Sequence, residues 1–163
     1  MEKELSSVVK VRFSDCDPIG HLNNVKYLEY MLNAREDHVE KGYGFTYEEY
    51  TRKTACTWIT VQNEIAYLKE VRYNAKVIIT SKTIEIGDRL SKVEIIMKSE
   101  DGKTIHSVLW LTVIYFDLKT RKSLPHPEDT KKLLTRFLTE LPEKDFQSRV
   151  AALRKLNKSA VKQ

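Results

Sequence analysis

Apolar and polar positions change period along the chain. Ser7 to Phe13 (SVVKVRF) alternates between them, the two-residue period of a half-buried strand. Asp17-Pro18-Ile19-Gly20 then reads as a turn, with proline pre-set for the second position and glycine free to take positive φ. Beyond it the period lengthens. Val25, Leu28, Met31/Leu32, Arg35 (through its stem) and Val39 recur at helical spacing, with Asn23 or Asn24 as cap and Lys41-Gly42-Tyr43-Gly44 as stop. Four β-rich runs follow: Trp58 to Leu68, Ala75 to Ile86, Leu90 to Ser99 and Thr104 to Asp117. Arg72-Tyr73-Asn74, Gly87-Asp88 and Glu100-Asp101-Gly102-Lys103 separate them, the last as a hairpin signal. The spacing then predicts two amphipathic helices. Asp129 to Leu141 carries Leu133, Leu134, Phe137, Leu138 and Leu141 on one side; Asp145 to Asn157 carries Phe146, Val150, Leu153 and Leu156.

One strand, one long apolar helix and four more strands predict an α+β domain whose helix lies across a curved antiparallel sheet. A chain of 163 residues with 41% apolar and 31% charged content fits a single folded domain rather than a disordered segment. The first residues, MEKELSSVVK, lack the apolar stretch of a signal peptide, and no run is long enough to cross a bilayer. Cys16 and Cys56 have no metal or haem spacing and read as free thiols, so the expected compartment is the cytoplasm. The net charge of +5 is uneven. From Lys119 onward 12 Lys/Arg stand against 5 Asp/Glu, leaving 16 against 18 before it. Such a tail either attracts phosphates, nucleic acid or an acidic protein, or is a solvated helix face.

The chemistry concentrates in RFSDCDPIGHLNNVKY, from Arg12 to Tyr27, where strand gives way to helix. A helix N-terminus offers unpaired N–H groups and a positive dipole end, and a carboxylate in the preceding turn can reach the same ligand atom. Arg12-x-x-Asp15-x-Asp17-x-x-Gly20-His21-x-Asn23-Asn24-x-x-Tyr27, with Ala34-Arg35 further along, resembles the signature of the hotdog-fold acyl thioesterases over roughly Val8 to Leu134. The similar branch is that of 4-hydroxybenzoyl-CoA thioesterase, with features of the plant acyl-ACP thioesterases.

That resemblance implies a long central helix wrapped by a curved five-stranded antiparallel sheet, with the C-terminal amphipathic helices added. Residues 1–127 would be the hotdog domain and 128–163 a basic helical extension. It implies a homodimer or homotetramer that hydrolyses an acyl-CoA or acyl carrier protein ester, with no cofactor, metal or nucleic acid. Asp17 would be general base or nucleophile, the Asn24 N–H would polarise the carbonyl, and His21 would orient water or assist the leaving thiolate. Glu70, three residues past Tyr67, matches the spacing of a catalytic glutamate in the plant enzymes. Two positions depart from these patterns: Ile19 stands where the plant enzymes carry asparagine, and Phe13 where related bacterial enzymes place tyrosine. Gly20, Asn23, Tyr27, Arg72 and Arg89 are the expected substrate-binding residues, and Lys69, Lys82 and Lys92 join the two arginines as candidates for CoA phosphates. Tyr27, Tyr30 and Met31 read as acyl pocket or plain core. Asp15 and Arg12 read as a structural ion pair. Cys16, between two acids, is rejected as nucleophile. His38, His106 and His126 read as ordinary surface or hydrogen-bonded histidines. A non-catalytic acyl-thioester-binding protein of the same fold is the alternative. A hotdog dehydratase would need a different His/acid placement.

Overall fold

In the computed structural model, which describes residues 2–162, a 20-residue helix is cupped by an antiparallel sheet. The chain runs β1 (Leu5–Lys10), α1 (Asn24–Tyr43), α2 (Tyr47–Thr54), β2 (Cys56–Tyr67), β3 (Lys76–Ile86), β4 (Leu90–Ser99), β5 (Ile105–Asp117), β6 (Lys122–Ser123), α3 (Glu128–Arg136) and α4 (Phe146–Val161). Strand order is β1-β3-β4-β5-β2, with the two-residue β6 paired to β5. Each pairing in the sheet is antiparallel, and bulges at Thr60/Gln62 and Thr83/Glu85 add curvature. The α+β architecture expected from the sequence is the one observed.

The ends of α1 follow local chemistry. Asn23 caps it through Oδ1, which accepts from Val25 N at 3.3 Å, and Gly44 closes it in the left-handed region at φ 80°. Its buried residues are Tyr27, Met31, Ala34, Arg35, His38, Val39 and Tyr43; Met31, Arg35 and Val39 lie on the line read off the sequence, whereas Val25, at its start, is 67% exposed. Met31 and Tyr27 pack with Val77, Ile79, Ile95 and Leu109 of the concave face as the main core.

The convex face is covered too. Leu153, Val150 and Phe146 of α4 pack with Leu141 on Ile96, Val108 and Trp110. The Asn157 side chain both accepts from Ile105 N at 2.8 Å and donates to Ile105 O at 2.9 Å, as a neighbouring strand would. Arg149 grips the buried Glu94 with two bonds of 2.7 Å, and Trp110 Nε1 donates to the same carboxylate at 2.9 Å.

Several boundaries differ from expectation. β1 stops at Lys10 because Phe13–Asp15 forms one turn of 3-10 helix and Arg12 N donates to Tyr30 Oη at 3.1 Å. The α2 helix was not foreseen: it is short and buries no side chain fully, although its capping box, Thr46 with Glu49, is legible. The predicted Asp129–Leu141 helix ends at Arg136, since Thr139 N leaves it to donate to Thr83 O at 2.8 Å beside the β3 bulge. No helix among the described residues is long and apolar enough to cross a membrane.

Candidate active site

The turn before α1 closes as its residues dictate. Gly20 N donates to Asp17 O at 3.0 Å with Gly20 at φ 82°, and Asp17 N donates to His21 O at 2.8 Å. The Asp17 carboxylate then braces its own turn. Oδ1 accepts from Ile19 N and His21 N, each at 3.0 Å, and Oδ2 has no hydrogen-bond partner among the described residues. This fixes the half-buried carboxylate's orientation while leaving one oxygen open.

The tip of α1 is more fully used than a bare helix end. Asn23 N donates to Asp15 O at 2.9 Å, Val25 N to Asn23 Oδ1 and Lys26 N to Asn23 O at 2.8 Å. The N–H between them, that of Asn24, has no partner among the described residues. One donor at the positive end of the helix is thus open to a ligand oxygen.

The segment after β2 completes the surroundings. Leu22 N donates to Val71 O and Tyr73 N to Gly20 O, both at 2.8 Å, and His21 bridges to Arg72, which brings Glu70 and Arg72 to the turn. Tyr67 Oη donates to Asn24 O at 3.1 Å, and its ring meets that of Tyr27 edge-on at 5.1 Å. Burial raises the Tyr27 phenol; a backbone hydrogen bond from Val71 opposes this, and the charges of Glu70 and Asp17 add to it. The Tyr27 phenol therefore stays neutral beside the turn.

Asp17, His21, Asn24, Glu70, Gly20, Asn23, Tyr27 and Arg72 lie around one helix tip. Arg89 does not. It sits at the far end of β3, donates to Ser123 O at 2.6 Å, and is separated from the turn by about 30 Å of extended strand. Two of the expected phosphate-binding lysines are also committed elsewhere. Lys82 pairs with Glu4 at 3.0 Å and Lys92 with Glu85 at 3.2 Å, while the exposed Lys69 and Arg72 remain beside the turn.

The expected Arg12–Asp15 ion pair does not form. Asp15 Oδ2 accepts from Tyr30 Oη at 2.5 Å and Lys26 approaches Oδ1 at 3.9 Å, because Tyr30 on α1 lies over the 3-10 turn. Asn23 is occupied as the helix cap, and Met31 is core. Burial first, then Asp17 and Asp15, push the Cys16 thiol up, consistent with its exclusion as nucleophile. His38, His106 and His126 are hydrogen-bonded, and no metal-binding cluster occurs among the described residues.

A cavity of about 280 Å³ opens further along α1, lined by Leu32, Arg35, Val39, Tyr43, Trp58 and Val113 among others. None of the residues expected to act lines it. It begins at Leu32, about 12 Å along the helix axis from Asn24. The sequence reading missed Trp58 and the α2 aromatics beside it; the density of aromatic residues from Phe45 to Trp58 was the available signal.

A family model described as the thioesterase-like superfamily matches residues 11–134. The long-chain acyl-CoA thioesterase FadM of Escherichia coli (strain K12) is 26% identical over 121 residues, which is 74% of this chain and 89% of FadM. Among solved structures, a Staphylococcus aureus protein in complex with CoA superposes at a TM-score of 0.77 with 16% identity, covering 90% of this chain and 91% of its own. The 12:0-ACP thioesterase of Umbellularia californica also superposes at 0.77, with 12% identity over 91% of this chain and 58% of that one.

Proposed function

The chain belongs to the thioesterase-like superfamily and is a thioester hydrolase, and from that premise we propose that it cleaves acyl-CoA esters at the tip of α1 with Asp17 as the reacting carboxylate. The open Asn24 N–H carries this reading. It is a donor at a positive helix end, one turn of chain from an aspartate whose Oδ2 is uncommitted. A tetrahedral intermediate needs both an attacking group at the carbonyl carbon and a donor at its oxygen.

The thioester oxygen accepts from Asn24 N–H. Asp17 Oδ2 either takes a proton from the attacking water or attacks the carbonyl carbon itself. A single turnover in heavy-oxygen water separates the routes. Label in the Asp17 carboxylate identifies the second route, with water opening the mixed anhydride at the aspartyl carbon; in the first the label enters only the product acid. The ring of His21, with no hydrogen-bond partner among the described residues, is left to protonate the departing thiolate. Glu70, brought to the turn by the neighbouring His21–Arg72 bridge, acts as a second carboxylate on the attacking water. Lys69 and Arg72 meet the CoA phosphates, and the acyl chain follows α1 into the cavity.

CoA is favoured over a carrier protein because the basic C-terminal surplus is partly consumed and partly remote. Arg149 is paired to Glu94, and α4 lies on the convex face. Residues 1–127 are then the catalytic unit and 128–163 a bracing extension whose Leu134 also forms part of the cavity wall. The protein works as a dimer joined along β2, whose 12 residues form an outer edge of the sheet.

A panel of acyl-CoA esters read by release of free thiol tests the reaction. Thiol release well above the spontaneous rate is expected for at least one chain length. Tight binding of every ester without turnover would make the protein an acyl-thioester carrier instead.

A further inference from the structure

The polar groups around the cavity are out of balance. Arg35 is 7% exposed and forms no ion pair among the described residues. Its Nη1 donates to Ser81 Oγ and its Nη2 to Tyr43 Oη, both at 3.2 Å; the Ser81 hydroxyl also pairs with His38 Nδ1 at 2.8 Å and the Tyr43 hydroxyl with Thr83 Oγ1 at 3.0 Å. These partners are neutral side chains, so the guanidinium is a buried cation without an anion. Beside it, Trp58 Nε1 is buried with no hydrogen-bond partner, alone in this among side-chain polar atoms of the described residues. Both side chains line the same cavity, whose other walls include Leu32, Val39 and Val113.

Buried donors without acceptors are rare in folded proteins because each loses its water without replacement. Trp58 Nε1 is such a donor, and Arg35, although hydrogen-bonded to two hydroxyls, is a buried cation with no anion; side by side at one cavity they describe a site for an oxygen ligand. We infer that this cavity receives the far end of an acyl group that carries a terminal carboxylate, with Arg35 and Trp58 as its donors. The inference rests on the acyl-CoA reading above. At ~1.5 Å of rise per residue, Arg35 stands about 16 Å along the helix from Asn24, so a medium-length chain spans from the reacting carbonyl to the guanidinium. A plain alkyl tail would fill the apolar walls but leave the indole N–H unmet and the guanidinium without a counter-charge. The exposed Glu36 also lines the space; being solvated, it is screened and opposes the ligand weakly.

The test compares ω-carboxyacyl-CoA esters with alkyl acyl-CoA esters of matched chain length. Wild type is expected to favour the carboxylated ester by about tenfold or more in kcat/KM at the best length, as a charge-assisted hydrogen bond implies. Trp58→Phe, which keeps a ring and loses the N–H, lowers that ratio several-fold, and Arg35→Gln abolishes it. If Arg35→Gln does not fold, the wild-type ratio and Trp58→Phe still decide. Alkyl esters cleaved as well as or better than carboxylated ones at every length overturn the inference and leave the hydrolase reading intact. If no ester is cleaved, the hydrolase reading fails instead. The inference then stands or falls on whether the carboxylated ester raises the melting temperature more than its alkyl match.

Discussion

His38 shows how far a single side chain can govern stability here. It is 1% exposed, with Nδ1 at 2.8 Å from Ser81 Oγ and Nε2 at 3.1 Å from Ser7 Oγ. Burial, aided by the neighbouring Arg35 charge, lowers its pKa from 6.5 to about 4. The unfolded chain therefore takes up a proton as pH falls below 6.5 while the native state refuses it until about 4. Its contribution is present above 6.5 and is lost across that window, on the order of 3 kcal/mol in all. Burial lowers His106 and His126 as well, so they act in the same direction. Thermal unfolding followed from pH 6.5 down to about 4 should show a smaller loss for His38→Gln than for wild type. Parallel curves would contradict the assignment. At this scale the sequence was readable wherever a residue acts on its own backbone. Gly20, Asn23 and Gly44 do what their types suggest. It put the stem of Arg35 on the helix's apolar line but not its partners, because Ser81 and Tyr43 meet the guanidinium only once sheet and helix are assembled.

Elements with a strong period were legible for the same local reason. β4 spans Leu90–Ser99 as its pattern predicts, and β3 and β5 differ at their starts only slightly. Where tertiary bonding overrides pattern, prediction failed. Leu138 and Thr139 kept helical spacing, yet the irregular β3 bulge recruited them. The fastening of α4 was equally invisible, because nothing local pairs Arg149 with Glu94 across 55 residues. That grip has a measurable consequence. Arg149→Leu leaves a 1% exposed carboxylate with Lys82 3.7 Å away and Trp110, and should cost about 3 kcal/mol, the low end for breaking a buried pair. Urea unfolding checks it. Adding Glu94→Leu should recover part of the loss, since the orphaned charge then disappears. A double variant less stable than the single would argue that the carboxylate is held by Lys82 and Trp110 instead.

The molecule as a whole leaves β2 on the outer edge of its sheet, with Thr60 to Asn63 exposed. A strand of 12 residues with unpaired backbone groups invites a second copy. Light scattering in solution should give twice the chain mass of 19.0 kDa; a single-chain mass at working concentration would contradict a β2 interface. The helix-in-sheet architecture was legible from element order, but the cavity was not. It arises from side chains spread between Leu32 and Leu134, and no local window contains it. Turnover is the property that the assembled molecule must deliver, and Asp17→Asn tests its origin most directly. Asparagine retains the Oδ1 that accepts from Ile19 and His21, so the turn survives while Oδ2 is lost. Acyl-CoA hydrolysis should fall by about 10²–10⁴ with the melting temperature unchanged. Activity within a few-fold of wild type would mean that Asp17 only shapes the turn and the chemistry lies elsewhere.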